Sequence, residues 1–276
     1  MSIAVGTKGV TNFNEVLTRV KAAGLMKKKP SFYMIRLAVI SVLAAGLWTA
    51  GAFIGQAFNE NPVWIIAGFG IAGLLGVLSA QYGFIAHEAA HRQVFRGNKA
   101  NDALGLVLAN LFAGLSYGFW MKKHNQHHKT PNQINADPDI AIRILSFTPE
   151  SRNAKKGIER WLSERQGYLF PFLLFLTGFD LLLDSFAGLV RKEKPLKTRL
   201  LEFGLMSVRQ AAPYVAMGFM FGWLWAIALW LFQMMIFGFF AVVLYATGAL
   251  AKLGMPLNPL FGRSLLGLTW LSGKSF

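Results

Sequence analysis

The sequence predicts an all-α integral membrane protein with four transmembrane helices, re-entrant or interfacial helices between them, and a metal-site cap on the cytoplasmic face. Three observations predict this class. Of the 276 residues, 54% are hydrophobic and 15% are charged, whereas soluble domains carry about 25% charged residues. The mean hydropathy is +0.42, and long stretches contain no charged residue. This composition excludes soluble globular, disordered and fibrous proteins.

The charge and the cysteine content narrow the possible partners and chemistry. The formal net charge is +15, but the basic residues lie between the apolar runs, where they set membrane topology and meet anionic headgroups. We therefore expect no nucleic-acid partner. The chain has no cysteine, which excludes disulfides, iron–sulfur clusters, thiolate nucleophiles and cysteine-bound zinc.

Residues 37–58 and 63–86 are the first two predicted spans. Both are uncharged and exceed the roughly 20 helical residues that cross a bilayer. The connector 59–62 has no basic residue, whereas seven precede the first span: Lys8, Arg19, Lys21, Lys27, Lys28, Lys29 and Arg36. By the positive-inside rule, the N-terminus is cytoplasmic.

Two further apolar stretches are predicted not to cross the membrane. Residues 103–121 are uncharged, but a crossing would place the basic residues that follow them on the outside. We therefore expect a re-entrant or interfacial segment there. Residues 168–190 contain Asp180 and Asp184 on one helical face. Because two carboxylates are costly at mid-bilayer, an interfacial helix is predicted.

The last apolar run, residues 211–251, is predicted to form two antiparallel spans. It holds 41 residues without a charge. A single helix of that length would extend about 60 Å, twice the hydrocarbon thickness. We therefore expect spans at about 211–230 and 231–251, after which Lys252 returns to the cytoplasm. The prediction is one membrane domain, 1–276, with both termini cytoplasmic.

All five histidines lie in two short clusters, His87-Glu88-Ala89-Ala90-His91 and His124-Asn125-Gln126-His127-His128. On a helix, residues at i, i+3 and i+4 share a face, so each cluster presents its imidazoles in one direction, as a metal ion requires. The two clusters lie on the same side of the membrane only if residues 103–121 do not cross. The chemistry and the charge distribution therefore favour the same topology.

The residues alone do not identify the metal, because imidazoles without thiolates suit iron, zinc or copper. HEAAH matches the zinc-hydrolase pattern HExxH with Glu88 as general base, which indicates a membrane metalloprotease. A catalytic zinc keeps about three protein ligands, however, and would leave the second cluster unused. Five histidines are too many for one zinc and too few for a complete two-iron shell.

Residues 87–140 resemble the membrane fatty acid desaturases. The stretch HEAAHRQVFRGNKANDALGL…GLSYGFWMKKHNQHHKTPNQINADPDI is similar to the first two histidine boxes of that family, HxxxH and HxxHH. Its PNQ…DPDI segment is similar to the bacterial acyl-CoA and linoleoyl-CoA branch. The apolar layout is similar from about residue 30 to about residue 242.

The resemblance implies chemistry, ligands and partners. It implies a non-haem centre of two iron ions that uses O2 to introduce a double bond into a fatty acyl chain. The implied iron ligands are His87, His91, His124, His127 and His128. The carboxylates expected to hydrogen-bond the ligating imidazoles are Glu88, Asp137 and Asp139, although the sequence is equally consistent with a solvated turn at Pro138 for the two aspartates. The acyl group would be linked to CoA, lipid or a carrier protein. A separate protein would donate electrons, and lipids of a bacterial cell membrane would surround the chain.

The sequence departs from this family in two places. Glu88 stands where the family usually has aspartate, and no histidine follows His128, although the family has a third histidine box after its last span. Only Gly254-Met255-Pro256 keeps a likeness there. We therefore expect a truncated, frame-altered or repurposed desaturase that holds iron weakly and is inactive as residues 1–276. The alternatives are a zinc metalloprotease, a hydroxylase with the same iron chemistry, and a non-catalytic membrane pseudo-enzyme.

Overall fold

The fold is built from helices. The computed structural model describes residues 8–141, 145–191 and 194–252, and every regular element within those ranges is helical. In chain order these are α1 (Lys8–Ala22), α2 (Pro30–Glu60), α3 (Ile65–Ala90), α4 (Asn98–Val107), α5 (Tyr117–Lys129), α6 (Pro149–Ala154), α7 (Gly157–Glu164), α8 (Gln166–Val190), α9 (Leu196–Phe221) and α10 (Trp223–Lys252). A 3₁₀ turn, Pro62–Trp64, precedes α3, and a π-helical turn, Leu108–Ala113, follows α4.

Four stretches of the described residues are long and apolar enough to cross a membrane: Pro30–Glu60, Pro62–Ala90, Gln166–Val190 and Trp223–Val242. The first two contain the predicted spans 37–58 and 63–86. Large apolar side chains cover the outside of the bundle; Phe219 and Leu224 are 80% and 81% exposed, as suits a surface in contact with lipid. The prediction of an all-α integral membrane protein is confirmed.

Helix α8 differs from the prediction for its region. The sequence favours an interfacial helix at 168–190, but Gln166–Val190 is long and apolar enough to cross a membrane. The two carboxylates that argued against a span, Asp180 and Asp184, are the only charged residues among the 25 of this helix. They therefore leave most of its surface apolar.

The last two helices correct the predicted spans 211–230 and 231–251. The turn lies at Gly222, and α10 runs without a break through residue 230. Gly222 has φ 84° and ψ 152°, a backbone conformation essentially restricted to glycine. The preceding helix begins at Leu196, well before the charge-free run, because buried charged side chains in it are hydrogen-bonded inside the protein. Counting uncharged residues therefore placed the turn too late.

Helices α9 and α10 pack beside α3 in opposite directions. Phe221, at the end of α9, lies against Gly68 near the start of α3. Arg209, earlier in α9, reaches Ser79 farther along α3. Helix α9 therefore runs from the histidine end of α3 to its opposite end. From the turn that follows, α10 returns alongside α3 towards the histidines.

Helices α4 and α5 form a hairpin at the histidine end of α3. The segments Asn98–Ala113 and Tyr117–Lys129 are bent by 111° relative to each other. At the bend, Gly114 has φ 82°, in the left-handed region that favours glycine. The hairpin starts beside Arg92, which donates to the Asn98 carbonyl, and it ends beside His91. A re-entrant segment requires this geometry, because the chain leaves and returns to one end of α3.

Candidate metal centre

The first histidine pair lies at the C-terminal end of α3. His87 is in the last turn of this helix, and His91 is its C-cap residue, whose backbone N–H donates to the His87 carbonyl at 3.1 Å. Their ring centroids are 4.6 Å apart. The predicted i, i+4 arrangement therefore places both imidazoles on one face at the end of an apolar helix.

The second cluster reaches the first through α5. The side chain of Ser116 caps α5 by accepting from the Phe119 N–H at 3.1 Å. From this helix, His124 Nε2 lies 2.9 Å from His91 Nε2 and 3.0 Å from His128 Nε2. One possible ligand nitrogen from each of His87, His91 and His124 lies within 4.8 Å of the others. Imidazoles separated by more than thirty positions in the sequence thus converge on one point.

This donor set fits a metal ion. Two nitrogens that each lie about 2.1 Å from one ion, at about a right angle, are about 3 Å apart. The nitrogen separations of 2.9 and 3.0 Å at His124 match that distance. Burial, together with the neighbouring imidazoles, lowers the pKa of His124 to about 3. Its ring is therefore neutral near pH 7, which is the form that binds a metal.

The Nδ1 atom of His127 meets carboxylates, while its ring lies edge-on to that of His128 with centroids 5.7 Å apart. Its Nδ1 lies 3.0 Å from both carboxylate oxygens of Asp137 and 3.4 Å from Oδ2 of Asp139. A proton on Nδ1 satisfies this contact and leaves the lone pair of Nε2 for a metal, the usual arrangement of a carboxylate-oriented ligand. The structure therefore places Asp137 and Asp139 beside one imidazole, that of His127, and their role in orienting a metal ligand stays a prediction.

Asp137 is itself held firmly. The residue is 1% exposed, and its carboxylate accepts from the backbone N–H groups of Asn132 at 2.7 Å and Asp139 at 2.9 Å. Burial raises the pKa of the Asp137 carboxyl, but these hydrogen bonds and His127 lower it further, so the net pKa lies below its ordinary value. A buried, hydrogen-bonded carboxylate differs from the solvated turn that the sequence allowed equally well.

Glu88 belongs to neither of the two groups of possible ligand atoms found among the described residues. Its Oε2 accepts from the hydroxyl of Tyr33 on α2 at 3.4 Å. This contact ties α3 to α2, and the role of Glu88 at the imidazoles stays a prediction.

Trp120, Glu202 and Arg209 lie around the site, although the sequence favours an interfacial anchor for Trp120 and predicts no role for the other two. Trp120 is most simply an interfacial anchor from the sequence alone, yet it stacks on His124 with ring centroids 4.4 Å apart and planes at 16°. Glu202 and Arg209 of α9 are buried against the hairpin that carries the second cluster. The sequence feature that could have indicated Glu202 and Arg209 is their position as two charged residues just before the long apolar run 211–251.

An apolar cavity of about 280 Å³ opens beside the imidazoles. His87, Trp120 and His124 line it together with side chains of the α4–α5 hairpin, α3, α8 and α10, including Leu181 and Phe237. A cavity of this kind accepts an extended apolar group next to a metal site.

Known proteins with similar sequences are desaturases. The family model for fatty acid desaturases matches residues 62–252. The Delta(8)-fatty-acid desaturase of Euglena gracilis is 27% identical over 61% of this chain and 38% of that protein. A Delta(6)-fatty-acid desaturase of Caenorhabditis elegans is 28% identical over 54% of this chain and 31% of that protein. The Acyl-lipid (9-3)-desaturase of Borago officinalis is 29% identical over 66% and 41%. No solved structure matches.

The chain spans about two fifths or less of the length of these relatives. They are eukaryotic, so the bacterial branch stays a prediction. The prediction about the third histidine box concerns residues after 242. The segment Gly254-Met255-Pro256, which keeps a likeness to the family there, lies outside the described residues. The family match does not favour a zinc metalloprotease. Because the match covers more than half of the sequence and includes both histidine clusters, the chain belongs to the fatty acid desaturase family.

Proposed function

We propose that this chain forms the metal-holding part of an O2-dependent acyl-chain desaturase. One observation carries the proposal: the ring nitrogen of His124 lies about 3 Å from those of His91 and His128, and His124 also lines an apolar cavity. The family match supports the same reaction class. The substrate class is a fatty acyl chain, with its carrier left open.

The overall reaction needs a metal cofactor. An acyl CH2–CH2 unit loses two hydrogen atoms and becomes CH=CH, while O2, two electrons and two protons form two water molecules with them. Two iron ions bound at the imidazoles would supply the O2 activation, because no side chain removes hydrogen from an alkyl carbon. The electrons would come from a separate donor protein at the cytoplasmic face.

The protein's own residues would bind the metal and the acyl chain and would fix the orientation of the imidazoles. His87, His91, His124 and His128 would hold the metal, and His127 would join them through Nε2 while Asp137 fixes its ring. Trp120 stacks on His124 and restricts its rotation. The apolar cavity walls would exclude water and hold the acyl chain against the imidazoles. Glu88 would act indirectly, by fixing α3 through Tyr33.

A metal analysis tests this function. We would purify the chain in lipid nanodiscs and measure bound iron, zinc and copper for the wild type, His91→Ala and His124→Ala. The expected result is histidine-dependent iron. Asn125→Ala is the matched control, because Asn125 is exposed on the same helix between two histidines. One zinc per chain that depends only on the first cluster would favour the metalloprotease, and no bound metal would favour a non-catalytic protein.

A further inference from the structure

We propose that α9 positions the second histidine cluster through two buried charged residues, Glu202 and Arg209, which hold the bend of the α4–α5 hairpin. We name this pair the α9 clamp. The two residues touch none of the histidines, so they are positioning residues. Any effect of the clamp on catalysis rests on the proposed metal centre, whereas its effect on geometry does not.

Glu202 holds the start of α5. This residue is 1% exposed, and its Oε2 accepts from the Ser116 hydroxyl and from the Gly118 N–H, the latter at 3.2 Å. Ser116 is completely buried and is the N-cap residue of α5. A carboxylate is favourable at this position, because the N-terminus of a helix carries partial positive charge.

Arg209 holds the other side of the bend. Its Nε donates to the Phe112 carbonyl at 2.8 Å, and one terminal nitrogen donates to Ser79 Oγ, also at 2.8 Å. Phe112 lies in the π-helical turn before the bend, so the cation meets the carbonyl end of a helical segment, where positive charge is favourable. Ser79 belongs to α3, so Arg209 ties the hairpin to the helix that carries the first cluster. Among the described residues, Arg209 makes no ion pair with a carboxylate.

The spacing of the two charges explains how one helix can hold both ends of the bend. Seven residues along a helix make about two turns and about 10 Å, and they return to the same face. The bend itself, between Ala113 and Ser116, contains the left-handed Gly114. The sign of each charge matches the helix end that it meets, and an exchange of the two charges would oppose both ends.

The consequence falls on the relative position of the two histidine clusters. The hairpin returns to α3 with His124 Nε2 only 2.9 Å from His91 Nε2. A change in the bend moves α5 relative to α3, so the convergence of the imidazoles depends on the clamp. If the clamp acts only on the hairpin, its removal should change the position of α5 relative to α3 and leave the rest of the helix bundle unchanged.

Distances between spin labels test the clamp without any metal, since the chain has no cysteine of its own. Labels at Gln93→Cys and Asn125→Cys, both exposed, report the position of α5 relative to the end of α3. Labels at Val42→Cys and Leu74→Cys, which are 71% and 54% exposed, report the α2–α3 pair. Each pair is measured in the otherwise unchanged chain and with Glu202→Gln, Arg209→Lys or Arg209→Met.

The expected result is a broader 93–125 distance distribution in these variants, with an unchanged 42–74 distribution. Arg209→Lys should broaden it less than Arg209→Met, because lysine can still donate to one of the two acceptors. Lys197→Gln removes an exposed charge from the same helix and should change neither distribution. In the metal-loaded protein, apparent Co²⁺ affinity should fall about 10-fold, as for residues that orient metal ligands.

Two outcomes would overturn the clamp. An unchanged 93–125 distribution in Glu202→Gln and Arg209→Met would show that the bend does not need these charges. Broadening of both distributions, or failure of Glu202→Gln and Arg209→Lys to fold, would show that the residues hold the whole bundle. Because the distances are measured without metal, a failure of the desaturase proposal leaves this result intact, and the reverse also holds.

Discussion

His124 and His127 lie three residues apart on one helix, yet their ring nitrogens meet different partners. His124 contacts other imidazoles, whereas His127 contacts the Asp137 carboxylate. The difference follows from the loop after α5, which folds back and places a buried carboxylate beside one ring only. At the residue scale, the two imidazoles therefore respond differently to mutation of this loop.

Asp137→Asn should weaken metal binding by about 10- to 100-fold, because the amide no longer holds the Nδ1–H of His127 as a carboxylate does. Asp139→Asn should have a smaller effect, since this side chain lies farther away at 3.4 Å and is 44% exposed. A Co²⁺ titration with a competing chelator measures both. The control is Glu164→Gln, an exposed carboxylate on α7. Equal affinity for the wild type and Asp137→Asn would show that His127 binds no metal or needs no orientation.

The residues of the histidine cluster could be predicted because helical spacing alone brings i, i+3 and i+4 side chains to one face. Trp120 and His124 are also an i, i+4 pair, but the sequence favours an interfacial anchor for this tryptophan, because tryptophan is common at membrane interfaces. The role of Glu202 could not be predicted, since Glu202 contacts Ser116 across 86 positions of sequence. No local pattern encodes a contact of that range.

At the scale of single helices, the turn between α9 and α10 depends on one backbone conformation. A Cβ on Gly222 would meet nothing within 4 Å, so Gly222→Ala tests conformation without a steric clash. Its φ of 84° and ψ of 152° should make alanine destabilising by about 1–3 kcal/mol. Unfolding in mixed micelles measures this.

Gly46→Ala is the matched control for that substitution. Gly46 lies inside α2, and a methyl group added there would also meet nothing within 4 Å. In a helix interior, alanine should be neutral or stabilise by about 0.5–1 kcal/mol. Equal stability of Gly222→Ala and the wild type would contradict the assigned turn.

The first two spans could be predicted, because α2 and α3 hold long uncharged runs with a non-basic connector. The boundary of α9 could not, since a charge count treats Arg209 as a residue that needs water. In the folded protein this guanidinium donates to a carbonyl and a hydroxyl instead. The helix therefore extends through a position that the sequence marks as unfavourable for a membrane.

At the scale of the whole molecule, the distribution of basic residues predicts that the histidine end faces the cytoplasm. In intact cells, a membrane-impermeant maleimide should label Glu60→Cys, at the C-terminal end of α2, and should leave Lys129→Cys unlabelled. Both positions are exposed, and permeabilised cells should label both. Labelling of Lys129→Cys from outside would contradict the orientation inferred from basic residues.

The number of possible ligand residues predicts how strongly residues 1–276 bind iron. Two irons with open positions need about eight or more ligands, and this sequence offers five histidines. We expect residues 1–276 alone to bind iron weakly and to form no desaturated product. A third-box segment of a relative, added in cis or as a separate chain, should raise the iron content. Product formation by residues 1–276 with iron, O2 and a reductant would contradict this.

The cavity should bind the acyl chain through its apolar walls. Leu181 lines it, whereas Leu183 of the same helix is 69% exposed on the outside. If a tryptophan at 181 displaces about two methylene groups, acyl affinity falls about 10-fold, at about 0.8 kcal/mol each. Binding of a radiolabelled fatty acid should therefore drop in Leu181→Trp and persist in Leu183→Trp. Equal binding by both would place the acyl chain elsewhere.

The walls of this cavity come from stretches that are far apart in the sequence. Residues 87–140 contain every histidine, but Leu181 and Phe237, on α8 and α10, lie outside them. A chimaera that receives only residues 87–140 from a relative would thus inherit the metal ligands and the part of the cavity lining beside them, and it would keep the recipient's cavity walls from α8 and α10. Grafts of the histidine region and grafts of the two wall helices should consequently exchange different properties, reactivity in the first case and chain-length preference in the second.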